Sequence, residues 1–139
     1  MSDDDRIKAL MALASDDLRS AELLLERVPR LAAYHLQQAA EKIAKALLVH
    51  DGVDPQRVHQ IGRLAHELGS GHPLRPRLLE LDRLTVYGTE MRYPQPSGRL
   101  PKPPGEDGLR KDAEAVSALH KAARAYLKLE PTAEDNDDG

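Results

Sequence analysis

The run from Glu90 to Pro94 contains residue types that can bind an anion. Arg92 offers a rigid fork of hydrogen-bond donors that suits a carboxylate or a phosphate. Tyr93 adds an aromatic ring and a hydroxyl group, and Pro94 fixes the direction in which the chain leaves. The alternative is that Arg92 pairs with a carboxylate of the protein itself, such as that of Glu41, and only holds a helix end in place. The two hypotheses differ in whether an anion from solution can reach Arg92.

A polar stripe lies earlier in the chain. Four residues follow the positions i, i+3, i+4 and i+7 and therefore share one face of a helix: Gln38, Glu41, Lys42 and Lys45. Glu41 can reach Lys45 in the favourable i, i+4 orientation. Charge patterns of this kind occur on most surface helices, so the spacing alone favours an ordinary solvated face over a binding site.

Several common chemistries are missing from the sequence. It has no glycine-rich phosphate loop, no Gly-x-Ser-x-Gly nucleophile elbow and no cysteine. His66-Glu67 looks like the start of a zinc-binding His-Glu-x-x-His helix, but Ser70 stands where the second histidine belongs. The six histidines have no recognised ligand spacing. We therefore expect neither a metal site nor a cofactor, and four tyrosines as the only aromatic residues exclude a platform that stacks several successive bases.

The composition predicts one all-α domain. The chain has 139 residues, of which 31% are charged and 40% apolar, which is too polar for a membrane protein and too apolar for a disordered one. Without Phe, Trp or Cys, the core must consist mainly of Leu and Ala, which are good helix formers. The absence of cysteine, the acidic start of the chain and the lack of an apolar run of about 20 residues favour a cytoplasmic protein with no membrane partner.

Charge is unevenly distributed along the chain. Residues 18–129 carry 18 basic and 13 acidic residues, whereas both ends are acidic. This balance is compatible with an anionic ligand such as a nucleotide or RNA, although it is far below that of a dedicated nucleic-acid-binding surface. A solvated surface of mixed charge is the simpler explanation.

The apolar periodicity predicts the helices. Apolar residues at three- and four-residue steps indicate helices over residues 6–28, 31–50, 61–68, 74–91 and 108–129. The short Val28-Pro29-Arg30 connection favours an antiparallel hairpin of the first two helices. Gly88 weakens the far end of the fourth helix. The acidic residues 131–139 are expected to form a disordered tail.

A long loop is predicted before the last helix. Residues 92–107 contain five of the ten prolines together with Gly98 and Gly105, a composition that excludes a continuous helix. Loops longer than about 12 residues inside compact domains are usually functional or disordered. This loop also carries Arg99 and Lys102 in addition to Arg92.

These motifs resemble those of the HEPN-domain family, the higher eukaryotes and prokaryotes nucleotide-binding family. The resemblance rests on segments in the expected order: residues 34–42 continued by 45–48, His59 at the start of the third helix, and residues 91–94. It implies an up-and-down bundle of four to five helices over residues 1–130, with the Pro/Gly-rich loop before the last helix. It also implies that the protein forms a homodimer.

The resemblance further implies a nucleotide or another phosphate as ligand, and a helper role for a separately encoded minimal nucleotidyltransferase in a toxin-antitoxin-like pair. The candidate nucleotide-binding residues are Gln38, Glu41, Lys42, Lys45, Arg92 and Tyr93. The two lysines and Arg92 would meet the phosphates, whereas Gln38 and Tyr93 would contact the sugar or the base.

The family's other bacterial role is that of a metal-independent endoribonuclease toxin, marked by an arginine and a histidine separated by roughly four to six residues. In the corresponding window after Arg92, residues 97–99 contain no histidine. Arg30 and His35 have the spacing but lie at the start of the second helix, so we interpret His35 as a packing or capping residue. RNA cleavage is therefore the alternative function, a ligand-free dimeric scaffold is a third, and no catalytic residue is assigned.

Overall fold

Three long helices make up most of the structure, a computed structural model that describes residues 2–129. The elements are α1 (Asp3–Leu24), α2 (Pro29–His50), α3 (Ile61–Glu67), α4 (Arg75–Glu80), a 3-10 turn (Leu81–Leu84), α5 (Tyr87–Glu90) and α6 (Glu106–Tyr126). This part of the chain contains no strand, so the all-α prediction is confirmed. None of these helices is long and apolar enough to cross a membrane. The tail predicted for residues 131–139 lies outside the described residues.

The hairpin of α1 and α2 is confirmed, with boundaries that differ from the predicted ones. α1 begins three residues early because Ser2 and Asp5 form a capping box, in which the Ser2 hydroxyl accepts from the Asp5 N–H at 3.2 Å. Pro29 occupies the first turn of α2, where its missing N–H costs no helical hydrogen bond. The proline therefore starts the second helix as well as following the first.

α2 is the central helix of the bundle. It packs against α1, α3, α5, α6 and the 3-10 turn. Four of its large apolar side chains, Leu36, Ile43, Leu47 and Leu48, are fully buried, as expected for a core built from Leu and Ala. A helix surrounded in this way also buries some of its polar side chains, which must then be satisfied within the protein.

The fourth predicted helix, over residues 74–91, is broken into α4, the 3-10 turn and α5. The side chains of Asp82 and Thr85 turn back to the start of α3. Asp82 Oδ1 accepts from the Gly62 N–H at 2.7 Å, and Thr85 Oγ1 accepts from the Ile61 N–H at 3.0 Å. α3 lacks a capping side chain of its own at Gln60, so these residues satisfy its free N–H groups from another segment.

The predicted loop before the last helix is confirmed between α5 and α6, and backbone hydrogen bonds form a turn within it. The N–H of Gln95 donates to the Arg99 carbonyl at 2.9 Å, and the N–H of Gly98 donates to the Gln95 carbonyl at 2.8 Å. The guanidinium of Arg30, at the start of α2, donates to the Pro101 carbonyl at 2.7 Å. The loop is therefore attached to the bundle at both ends and closed by its own turn.

A buried histidine joins α6 to α1. His120 Nε2 donates to the carbonyl of Met11 at 3.3 Å. Burial lowers the pKa of His120 below its ordinary value, and the nearby positive charge of Arg124 acts in the same direction. The imidazole is thus held in its neutral form inside the bundle.

Gly62→Ala is expected to lower the free energy of unfolding by about 1–2 kcal/mol, because the new Cβ would lie 2.5 Å from Asp82 Cγ and displace the capping carboxylate. Gly108 in α6 is the matched control, since nothing lies within 4 Å of a Cβ there. Alanine is preferred to glycine inside a helix by roughly 0.5–1 kcal/mol, so Gly108→Ala should stabilise. Denaturant unfolding measures both variants, and equal changes in stability would contradict the cap.

Candidate functional site

A buried carboxylate lies at the centre of the polar stripe on α2. Glu41 is only 5% exposed. Its Oε1 accepts from Gln37 Nε2 at 3.2 Å and from His59 Nδ1 at 3.2 Å, and its Oε2 lies 3.4 Å from Lys45 Nζ. The predicted Glu41–Lys45 pair is therefore confirmed. The expectation of an ordinary solvated face is wrong, because Glu41 sits where α2 is covered by its neighbours.

Gln37 is part of this network and was missed by the sequence analysis. It is 1% exposed, and its Oε1 accepts from Gln38 Nε2 at 2.7 Å. A Cβ at Gly88 would lie 2.7 Å from the same oxygen, so α5 can approach Gln37 only because residue 88 is glycine. The hydrogen bond from Gln38 orients the Gln37 amide. In the sequence, the spacing of Gln37, four residues before Glu41 and eight before Lys45, could have indicated that it shares their helix face.

A second buried carboxylate connects α1 to α2. Asp17 Oδ1 accepts from His35 Nδ1 at 2.8 Å, and Asp17 Oδ2 contacts Lys42 Nζ. We interpreted His35 from the sequence as a packing or capping residue. That interpretation did not include the hydrogen bond that His35 donates to a buried carboxylate. Asp17 was also missed, although an acidic residue one position before Leu18 interrupts the apolar face of α1.

Arg92 lies just beyond α5 and contacts the first turns of α2. Its Nη1 donates to the Tyr34 hydroxyl at 3.2 Å, and its guanidinium carbon lies 4.8 Å from the centre of the Tyr34 ring. Among residues 2–129 the guanidinium has no carboxylate partner. The alternative pairing of Arg92 with Glu41 is therefore not formed. The tyrosine fixes the position of Arg92 by a cation–π contact and a neutral hydrogen bond, neither of which neutralises its charge.

The structure brings together most of the candidate residues through α2. The ring of Tyr34 packs edge-on against that of His35, with 5.2 Å between centroids, which links Arg92 to the Asp17 network. Tyr93 is the exception among the candidate residues. It is 67% exposed and lies along the loop that follows α5. The described residues contain no group of three His, Asp or Glu side chains that could hold a metal ion.

The electrostatics of the three candidate cations differ. Lys42 faces Asp17 and Lys45 faces Glu41, and the lysine side chains are only 23% and 16% exposed. Arg92 is exposed, and among residues 2–129 it faces the Tyr34 ring and hydroxyl rather than a carboxylate. An incoming anion would compete with a carboxylate at either lysine but not at Arg92. The site is therefore suited to hold one anion at Arg92, with the lysines close to neutralised by their partners.

Comparison with known proteins gives two matches. Residues 7–130 match the family model described as HEPN domain. Among solved structures, the chain is similar to the crystal structure of TT1696 from Thermus thermophilus, with a TM-score of 0.74, 22% sequence identity, and coverage of 86% of this chain and 97% of that chain. At this identity the likeness concerns the fold alone. No curated protein matches the chain.

The two parts of the site should respond differently to alanine substitution. Glu41→Ala is expected to lower the free energy of unfolding by about 2–4 kcal/mol, because it leaves Gln37, Lys45 and His59 without their shared acceptor. Arg92→Ala should cost less than about 1 kcal/mol, since it removes only exposed contacts with Tyr34. Chemical denaturation measures both, and equally large losses would indicate that Arg92 has a structural role.

Proposed function

Because the chain belongs to the HEPN-domain family, we propose that it binds a phosphate-bearing ligand such as a nucleotide, with Arg92 as the main contact for the anion. The observation that carries this proposal is the environment of the Arg92 guanidinium. The guanidinium donates to the Tyr34 hydroxyl and lies over the Tyr34 ring, and neither contact neutralises its charge. A guanidinium is suited to bidentate recognition of a phosphate. Its exposed position leaves the remaining donors accessible from solution.

The other candidate residues have smaller shares in the proposed binding. Lys42 and Lys45 each already face a carboxylate, so we assign them a general positive field rather than a direct phosphate contact. Glu41 and Gln38 support the arrangement of α2, and Tyr93 is available to the sugar or the base. With one uncompensated cation among the six candidate residues and no glycine-rich loop, we expect affinity on the order of micromolar.

The expected partner protein is a minimal nucleotidyltransferase encoded separately, as in a toxin-antitoxin-like pair, and the expected state of the chain is a homodimer in the cytoplasm. The family membership supports these expectations. The absence of cysteine fits a reducing compartment. Sedimentation of the purified chain measures its oligomeric state. Capture of the tagged chain from its native cells, followed by mass spectrometry, tests the partner, and a capture that contains no nucleotidyltransferase would count against it.

Nucleoside triphosphates should raise the melting temperature of the wild-type protein, because a ligand that binds only the folded state stabilises it. At a ligand concentration about 100-fold above Kd the gain is about 2.7 kcal/mol, and tenfold weaker binding roughly halves it. Arg92→Ala should lose at least half of the shift. Arg99→Ala is the control, since this arginine lies on the same loop and outside the contacts with Tyr34. Equal shifts in all three proteins would refute the assignment.

RNA cleavage is a second candidate function, and one specific observation favours it. His35 donates from Nδ1 to the buried carboxylate of Asp17, an arrangement that orients an imidazole for general acid–base chemistry through its other nitrogen. Tyr34 connects this histidine to Arg92, which could stabilise the charge that develops on a phosphorane. No metal is needed for such a reaction.

If the protein cleaves RNA, it should do so in EDTA, and both His35→Ala and Arg92→Ala should lower the rate by at least about 100-fold. His66→Ala is the matched control, because His66 contacts Arg75 and takes no part in this network. Gel analysis of a labelled RNA measures the rate. The absence of cleavage by the wild-type protein, or full activity in either of the first two variants, excludes this candidate.

A further inference from the structure

The segment directly before α6 has a restrained, extended backbone. Residues 99–104, here called the proline segment, consist of an arginine, a leucine, a lysine and three prolines. Proline fixes its own φ at about −65° and disfavours the helical region for the residue before it, so each of residues 100–104 is restricted to extended or polyproline II geometry. In agreement, the segment belongs to no helix or turn and has no positive φ.

Two faces of the proline segment differ in burial. A polyproline II helix has about three residues per turn, so residues three apart share a face. Pro101 is buried and Pro104 is half-buried, which turns their face toward the bundle. Leu100, which is 69% exposed, shares the next face with Pro103. Neither Leu100 nor Pro103 lines the cavity enclosed by residues 89–102, so their apolar face is directed away from it.

The third face of the proline segment is basic. It consists of Arg99 and Lys102, which are both exposed. Residues 91–105 contain no acidic residue, and within residues 2–129 neither side chain pairs with a carboxylate. Two unneutralised positive charges therefore lie next to the exposed apolar face, and this combination is complementary to an acidic surface.

The proline segment is attached to the bundle without using its exposed groups. Arg30 donates to the Pro101 carbonyl, on the inner face, at 2.7 Å. The carbonyls of Leu100, Lys102 and Pro103 accept no hydrogen bond from residues 2–129, so they are available to donors of another molecule. Because the backbone is already fixed, binding would order little of the chain, which reduces its entropic cost.

The exposed apolar face favours a protein as the binding partner. Single-stranded RNA binds rings on which successive bases stack, and Tyr93 is the only aromatic residue in the loop. A second copy of this chain is a poor fit as well. It has no Phe or Trp to line a groove, and three of its four tyrosines are partly buried in the bundle: Tyr34, Tyr87 and Tyr126.

We propose that the proline segment is a docking ligand for a second protein, whose groove is lined by aromatic side chains and bordered by carboxylates. Aromatic-lined grooves bind polyproline II segments because the helix is preformed. Leu100 and Pro103 pack into the groove, whereas Arg99 and Lys102 face the carboxylates. This surface is separate from the Arg92 contact and does not depend on phosphate binding.

The experiment titrates the full chain with a panel of purified Src-homology 3 domains, whose aromatic-lined grooves recognise proline-rich segments. At least one domain should bind and shift the amide resonances of residues 99–105 in NMR spectra of the isotope-labelled chain. Leu100→Ala should weaken binding, measured by calorimetry, about tenfold or more. Leu23→Ala is the matched control, because Leu23 is also 69% exposed but lies at the end of α1.

The basic face should contribute less than the apolar face. Lys102→Ala is expected to weaken binding about two- to fivefold, and the difference should shrink at high salt, because exposed charges are screened. Arg92→Ala should bind the domains as the wild-type protein does, whether or not that arginine binds phosphate. Circular dichroism checks that each variant is folded.

Three results would overturn the docking proposal. The first is that no domain of the panel binds. The second is an equal loss of affinity in Leu100→Ala and Leu23→Ala. The third is that an oligouridine RNA shifts the same amides and still does so in Leu100→Ala, which would assign the surface to RNA rather than to a protein.

Discussion

The burial of the Glu41 carboxylate is the constraint on which the arrangement around α2 depends. A carboxylate inside a helical bundle is costly unless it is paired and fully hydrogen-bonded. Two of its partners, Gln37 and Lys45, come from α2 itself, and the third, His59, comes from the segment before α3. The network therefore fixes how that segment meets α2. It also requires glycine at position 88, since α5 crosses directly over Gln37.

Asp17 imposes a similar requirement where α1 meets α2, and it engages His35 and Lys42. The two carboxylates together occupy both lysines of the candidate site. This distribution of charge separates residues that maintain the bundle from the residue that can meet a ligand. Arg92 is held by an aromatic ring and a hydroxyl rather than by an acid, and its charge stays available.

Much of the fold could be predicted from local patterns. The apolar period and Pro29 indicated the α1–α2 hairpin, and the i, i+4 spacing indicated the Glu41–Lys45 pair. The break at residues 81–86 could not be predicted, because it depends on Asp82 capping a helix twenty residues earlier in the chain. The burial of Gln37 and the role of Asp17 were missed for the same reason. Spacing places residues on a helix face, but packing of the other helices decides which face is covered.

The neutral histidine between α6 and α1 has a consequence for work in mildly acidic solution. Burial lowers the pKa of His120 in the folded protein, whereas a histidine in the unfolded chain has its ordinary pKa of about 6.5. Above this ordinary pKa, the neutral imidazole of His120 makes its full contribution to the stability of the fold. Below it, protons bind preferentially to the unfolded chain, so that contribution decreases as the pH falls toward the pKa of the folded protein. Ligand affinities measured in acid would therefore report on the integrity of the bundle as well as on Arg92, and unfolding curves at each pH would separate the two contributions.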